Sequence, residues 1–295
     1  MNVRRRAVHI GLVGALLAPL LLIPTVPATA APPEEDCGPP LALHRNEFPA
    51  VPTVDNTFFP LRPGTRWVLK GTVDGDAHTV VTTVTDLTKV IDGVPSAVVL
   101  DEDFGPHREL QEAELAFMAQ DLQGRVWNLG EYPELYENGQ FAGAPDVWIS
   151  GIAMARAGTG MLAHPATGTP TYLQGLAPAI EFNDCATVFQ TGQRVCVPTG
   201  CYDNVLVTDE FAPLDPAGGH HRKFYAPGVG VVRIDAIGDT DPEILRLTKF
   251  RQQCPPGVAR TRAKALALDA HGYQVSPKVY GRTPPAQQSL HANPC

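Results

Sequence analysis

Arg222-Lys223-Phe224-Tyr225-Ala226-Pro227-Gly228-Val229-Gly230-Val231-Val232-Arg233-Ile234-Asp235-Ala236-Ile237 reads as a strand, a tight turn and a second strand. Gly228 and Gly230 permit positive φ or close backbone approach, and Pro227-Gly228 supplies the turn. Outward from this hairpin the same grammar repeats. Short runs rich in Val, Thr, Ile and aromatics fall at Thr65–Lys70, Thr79–Asp86, Ala97–Leu100, Arg125–Leu129, Asp146–Ser150, Thr171–Leu173, Ala186–Gln190, Arg194–Val197, Asn204–Phe211 and Glu243–Phe250. Turn signals at Asp74-Gly75, Asp92-Gly93, Thr191-Gly192, Pro198-Thr199-Gly200, Pro216–Gly219 and Gly238-Asp239 separate them. Strands this close in sequence leave no room for crossovers, so the pattern predicts an antiparallel meander. The expected fold is mainly β, a curved antiparallel sheet curling into an open or half barrel, with few short helices. Residues 115–120 read as strand or helix, and 130–162 as mostly irregular. One clear helix is predicted, Val258–Ala270, ended by Gly272.

The chain has 295 residues, and its 29 prolines and 27 glycines favour many turns over long helices. Residues 1–30 read as a cleavable export signal: Arg4-Arg5-Arg6, an apolar stretch from Ile10 to Val26, then Ala28-Thr29-Ala30. Cleavage is expected after Ala30, giving a secreted protein with no stable membrane anchor; the Arg5-Arg6 pair leaves the Sec and twin-arginine routes both open. Residues 31–54 form an extended lead-in, 55–250 the β domain and 251–295 a tail carrying the helix. Loss of Arg4, Arg5 and Arg6 takes the formal charge from −8 to −11, which excludes nucleic acid as a partner.

Cys37, Cys185, Cys196, Cys201, Cys254 and Cys295 all follow the signal, and an even count in an exported chain reads as a disulfide framework. Two of Cys185, Cys196 and Cys201 are expected to pair locally, with Cys196 and Cys201 facing each other across Val197–Gly200. Cys254 with Cys295 would pin the tail. There is no zinc spacing, and no cofactor is expected.

Four stretches carry a family resemblance: Phe58-Phe59-Pro60-Leu61-Arg62-Pro63-Gly64-Thr65-Arg66-Trp67; Ala119-Gln120-Asp121 with Gly124, Val126-Trp127 and Gly130-Glu131; Asp203–Thr208; and Phe224–Val232. In this order they resemble a family of uncharacterised secreted actinobacterial proteins, and Tyr225-Ala226-Pro227-Gly228-Val229-Gly230 also resembles outer-membrane lipoprotein carriers. The resemblance implies a curved antiparallel sheet and supplies no catalytic residue. The cysteines and the tail depart from its pattern.

Candidate chemistry is sparse. Trp67, Trp127 and Trp148 could line a concavity, though core packing is the commoner role for large aromatics. His220 and His221 could ligate a metal only if the chain bends, since strand neighbours point to opposite faces. Asp101 and Asp103 could share one strand face as a carboxylate pair or calcium site, against the plainer reading of a solvated strand end. Glu131, Glu134 and Glu137 beside Tyr132 and Tyr136 could suit a sugar or a cation. No nucleophile elbow, phosphate loop or dinucleotide fingerprint is present. The preferred expectation is a non-enzymatic domain binding a small apolar or amphipathic ligand, or a protein; the alternative is a secreted hydrolase or metal-dependent enzyme built from His107, His164, His220 and His221. The oligomeric state stays open.

Overall fold

The computed structural model describes residues 37–289. Its strands are β1 (Thr65–Val73), β2 (Asp76–Ile91), β3 (Val94–Phe104), β4 (Leu110–Gln120), β5 (Val126–Glu137), β6 (Gln140–Gly143), β7 (Trp148–Ile149), β8 (Arg156–Met161), β9 (Tyr172–Ala177), β10 (Phe182–Val197), β11 (Gly200–Phe211), β12 (His220–Ala226), β13 (Gly230–Ile237), β14 (Glu243–Gln252) and β15 (Gln287–Gln288), with one helix, α1 (Pro255–Val275), between β14 and β15.

The sheet is mainly a meander, as expected, and it closes. β1 pairs antiparallel with β2 on one side and with β14 on the other, giving a 12-strand antiparallel barrel. Full closure replaces the open or half barrel expected from the sequence, and it removes both sheet edges. The segments left open resolve in part to strand, while 144–147 and 150–155 are turn and bend, irregular as expected. Residues 115–120 belong to β4, and 130–137 extend β5 into a hairpin with β6.

Two apolar layers hold the wall. Inside the barrel lie Leu69, Val84, Val99, Met118, Val126, Met161, Leu206, Val232, Leu245 and Leu247. Outside β2–β5 lie Leu87, Val98, Leu100, Leu115, Phe117 and Leu129, beneath α1 and the segment after it. These strands are therefore apolar on both faces. α1 buries Val258, Thr261, Ala265, Leu268, Asp269 and Gly272, a stripe at helical spacing. Gly272 belongs to the packed face, because a Cβ there would lie 2.6 Å from the Tyr280 ring. The helix thus runs past the predicted stop, and Ser276 N–H closes it on the Gly272 carbonyl at 2.9 Å.

Polar anchors fix the helix to the barrel. Arg262 grips Asp86 with two nitrogens at 2.6–3.1 Å. Lys89 Nζ, wholly buried, donates to Asp269 at 2.7 Å, Tyr273 OH at 2.9 Å and the Pro284 carbonyl at 2.7 Å, and lies 4.4 Å from the Tyr280 ring centre. The outward face of β12–β14 is charged, with Arg233 and Arg246 flanking Asp235. Among the described residues no helix is long and apolar enough to cross a membrane.

Cys37 pairs with Cys185, and Cys196 with Cys201 across the β10–β11 turn. The local Cys196–Cys201 bridge is the one the spacing pointed to. Cys254 is exposed and joins neither bridge. Its expected partner Cys295 lies outside the described residues, as does the export signal.

Candidate functional site: a barrel interior with one apolar and one acidic end

One end of the barrel is closed by chain. Val54 and Leu61 are buried in the inner core, with Phe58 and Phe59 packed against it. Asn56 ties this segment to one wall through the Gly124 and Leu162 carbonyls, both at 3.0 Å, while Asp55 and Asn56 N–H groups donate to Gln120 Oε1. On the other wall Gly228 N–H donates to the Thr57 carbonyl at 2.7 Å, and Trp67 Nε1 donates to the Val229 carbonyl at 2.6 Å. Phe59 lies 6.2 Å from Tyr225. Three of the four motif stretches therefore meet at this closed end, and the fourth supplies Val205 and Leu206 to the same core. Their shared task is architectural.

Toward the opposite end the inward face turns acidic. Strand pairing aligns Trp67, Thr82, Asp101, Glu114 and Pro133 in one row across β1–β5. The next row places Asp103 opposite Glu112, and another places Glu131 beside Ala116 and Trp148. Asp101, Asp103, Glu114 and Glu131 are all buried. Like charges directly across a ladder destabilise it. Burial, offset in part by Thr82 and reinforced by Asp103, pushes the Asp101 carboxyl up to about 8. Burial, then Asp103 and Asp101, raises Glu112 well above the carboxylate range; burial, then Glu131 and Glu112, does the same for Glu114. Glu131 accepts from Asn128 Nδ2 at 2.6 Å and Trp148 Nε1 at 3.0 Å. Glu114 Oε1 has no hydrogen-bond partner.

The facing wall carries a satisfied network and one loose end. Glu210 accepts from Lys223 at 2.7 Å, Thr208 at 2.8 Å and Tyr225 OH at 3.0 Å. Burial alone would raise Glu210, yet Lys223 holds it below its ordinary value. Tyr172, in the same inward row as Ala186 and Glu210, is buried with its hydroxyl unpartnered. His78 Nε2 lies 3.7 Å from Asp103 and 3.9 Å from Glu243.

The residues singled out in the sequence scatter over this frame. Trp67 sits in the inner core, against Phe250 at 5.8 Å. Trp127 lies on the outer layer, its Nε1 donating to Asp121 at 2.8 Å. Trp148 stacks on Phe182 at 5.2 Å beside Glu131. The three do not line one concavity. His220 and His221 point to opposite faces of β12 and bind different acids, Asp209 at 3.0 Å and Asp239 at 3.1 Å. His107 lies in the β3–β4 turn and His164 in the β8–β9 loop, so these four histidines are not brought together. Among the described residues no group of three His, Cys, Asp or Glu side chains has the arrangement of a metal site. A surface crevice of about 310 Å³ lies elsewhere, lined by Arg45, Val90, Asp92, Ser150, Ile152 and Arg282 among others. None of the tryptophans borders it.

Fold and site together define a closed antiparallel barrel whose interior is apolar at one end and acidic at the other. No protein-family model matches the chain, so the actinobacterial resemblance gains no support there. No curated protein sequence matches it either. A crystal structure from Bacteroides fragilis, of a protein described as exported and having a YmcC-like fold, is similar over 66% of this chain and 99% of that one. Identity is 12% and the TM-score 0.39, a likeness too remote to carry inference about this chain.

Proposed function

We propose that this is an exported, non-enzymatic binding protein that holds a small amphipathic ligand inside its barrel. The observation that carries the reading is the inward face itself. It sets unpartnered buried polar atoms, Glu114 Oε1 and Tyr172 OH, above an apolar interior sealed at its far end by residues 54–61. Leaving a buried polar atom without a partner costs about 1–3 kcal/mol, a cost that a ligand supplying the missing hydrogen bonds would remove. A barrel of eight strands is just filled by its own side chains, and twelve strands give a wider bore. The two disulfides suit an oxidising compartment, which supports export.

Native mass spectrometry of the protein taken from culture medium tests this. A co-purifying small molecule, released on unfolding and displaced by an alkyl-chain probe, is the expected result. A mass equal to the bare chain, together with no uptake of any alkyl probe, would overturn it.

A further inference from the structure

We propose that the outward face of β1 and β14 docks on a lipid bilayer carrying anionic headgroups, with Arg66, Lys70, Lys249 and Arg251 pairing to the headgroups and Ile244 entering between them. The inference concerns the outside of the wall and does not depend on what the barrel holds.

Strand alternation sets up the face. Trp67 and Leu69 on β1, and Leu245 and Leu247 on β14, point into the inner core, so Arg66, Val68, Lys70 and Arg246 point outward. Lys249 and Arg251 stand opposite Val68 and Arg66 and share that outward face. The ladder therefore places Arg66 against Arg251, Lys70 against Arg246, and Arg246 also against Arg233. Like charges directly opposite each other destabilise a sheet. The repulsion reaches Arg66: burial lowers its guanidinium below the ordinary value, Glu102 opposes this, and Arg251 adds to the lowering. Neighbouring acids are engaged elsewhere, Asp235 with Arg233 and Arg246, Asp86 with Arg262 and Glu102 with Lys264. Arg66 donates to Thr83 Oγ1 at 3.3 Å rather than to a carboxylate. Lys70, Lys249 and Arg251 are exposed and make no ion pair among the described residues. Two adjacent strands thus present cations with no acid between them, in a chain whose formal charge is −8.

Charge complementarity calls for an anionic partner, and the apolar neighbours select its kind. The net charge repels polyanions at a distance, so the attraction acts only at close range, within about 8 Å at physiological ionic strength. At that range the face offers more than charge. Ile244 continues the outward row of β14 beside Arg246 and is 41% exposed; Phe250, next to Arg251 at the closed end of the barrel, is 40% exposed. A phosphate or carboxylate polymer would engage the cations and leave these side chains in water. The headgroup region of a bilayer takes both, pairing cations with phosphates while apolar side chains reach the acyl boundary.

The test is co-sedimentation of the full secreted chain with vesicles of phosphatidylcholine alone and of phosphatidylcholine mixed equally with phosphatidylglycerol. The chain should partition onto the mixed vesicles, not onto phosphatidylcholine alone, and salt should weaken the binding. Lys249→Gln with Arg251→Gln, shown folded by circular dichroism, should lower the partition coefficient about 25-fold, about fivefold for each charge removed. Ile244→Ser should lower it as well. Arg156→Gln with Lys278→Gln, two exposed cations away from this face, should leave it unchanged. Equal binding to both vesicles, no binding to either, or an equal loss in the control pair would overturn the proposal. If polyphosphate in solution binds as tightly as the mixed vesicles and Ile244→Ser changes nothing, the face recognises an anionic polymer and the lipid assignment is wrong.

Discussion

Replacing Asp101 by asparagine should flatten the pH dependence of stability and stabilise the protein at alkaline pH. In the folded chain the Asp101 carboxyl titrates near 8, against 3.8 for a free aspartate, because it is buried beside other carboxyls. Between those values the native state keeps a proton that the unfolded chain has shed. More protons bound in the native state means that stability falls as pH rises, and the loss runs from about pH 4 to about pH 8. Each pH unit in that window removes about 1.4 kcal/mol per such group, so Asp101 accounts for on the order of 5 kcal/mol across it. That is comparable to the whole stability of many domains. Asparagine has nearly the same shape and cannot ionise. Asp101→Asn should match the parent near pH 4 and exceed it by several kcal/mol at pH 8. Urea unfolding followed by tryptophan fluorescence from pH 4 to 9 reads this directly, with Asp74→Asn, an exposed turn carboxyl, as the neutral comparison. A parent curve that is flat or rising between pH 5 and 8, or an Asp101→Asn curve parallel to it, would refute the reasoning.

Other perturbations have definite expectations. Asp269→Asn should cost about 3–5 kcal/mol, since it strands the buried Lys89 ammonium, whereas Lys89→Met with Asp269→Leu should recover much of the loss; urea midpoints compare them. Loss of Cys37–Cys185, whose residues are 148 apart, should cost about 5 kcal/mol by loop entropy, against about 2 kcal/mol for Cys196–Cys201 with a separation of 5; paired Cys→Ala variants under one denaturant series decide it. Gly272→Leu should loosen α1 from the wall, because the Tyr280 ring occupies the space a side chain needs, and amide exchange in 255–275 should rise accordingly.

Much of this architecture was legible because strand pattern is local. Thr79–Asp86 and Val231–Ile237 announce themselves by β-branched content, and Cys196–Cys201 by the turn between them. Closure was not legible, since the pairing of β1 with β14 joins residues far apart in sequence and leaves no mark on either. The acidic end hid for a related reason. Asp101 and Asp103 share a strand face, and so do Glu112 and Glu114, a period of two that does show in the sequence. Yet their neighbours Val98, Leu100, Leu115 and Phe117 are apolar on the other face. Without knowing that α1 covers that outer face, nothing tells which side is interior, and acids beside a turn pass for solvated ones. The tryptophans were legible as core, the commoner role of large aromatics, and all three are buried, though in three different places.

The pairing of β1 with β14 also dictates an order of events. No part of the wall between them can become a finished cylinder until the chain has been delivered as far as Gln252, so the last seam to zip is the one joining the earliest strand to the latest. Until then two unpaired borders are available to any other chain, and contacts of such long reach form slowly. A protein of this shape would be exposed to aggregation while its chain is incomplete, and safest once its final strand has docked against its first.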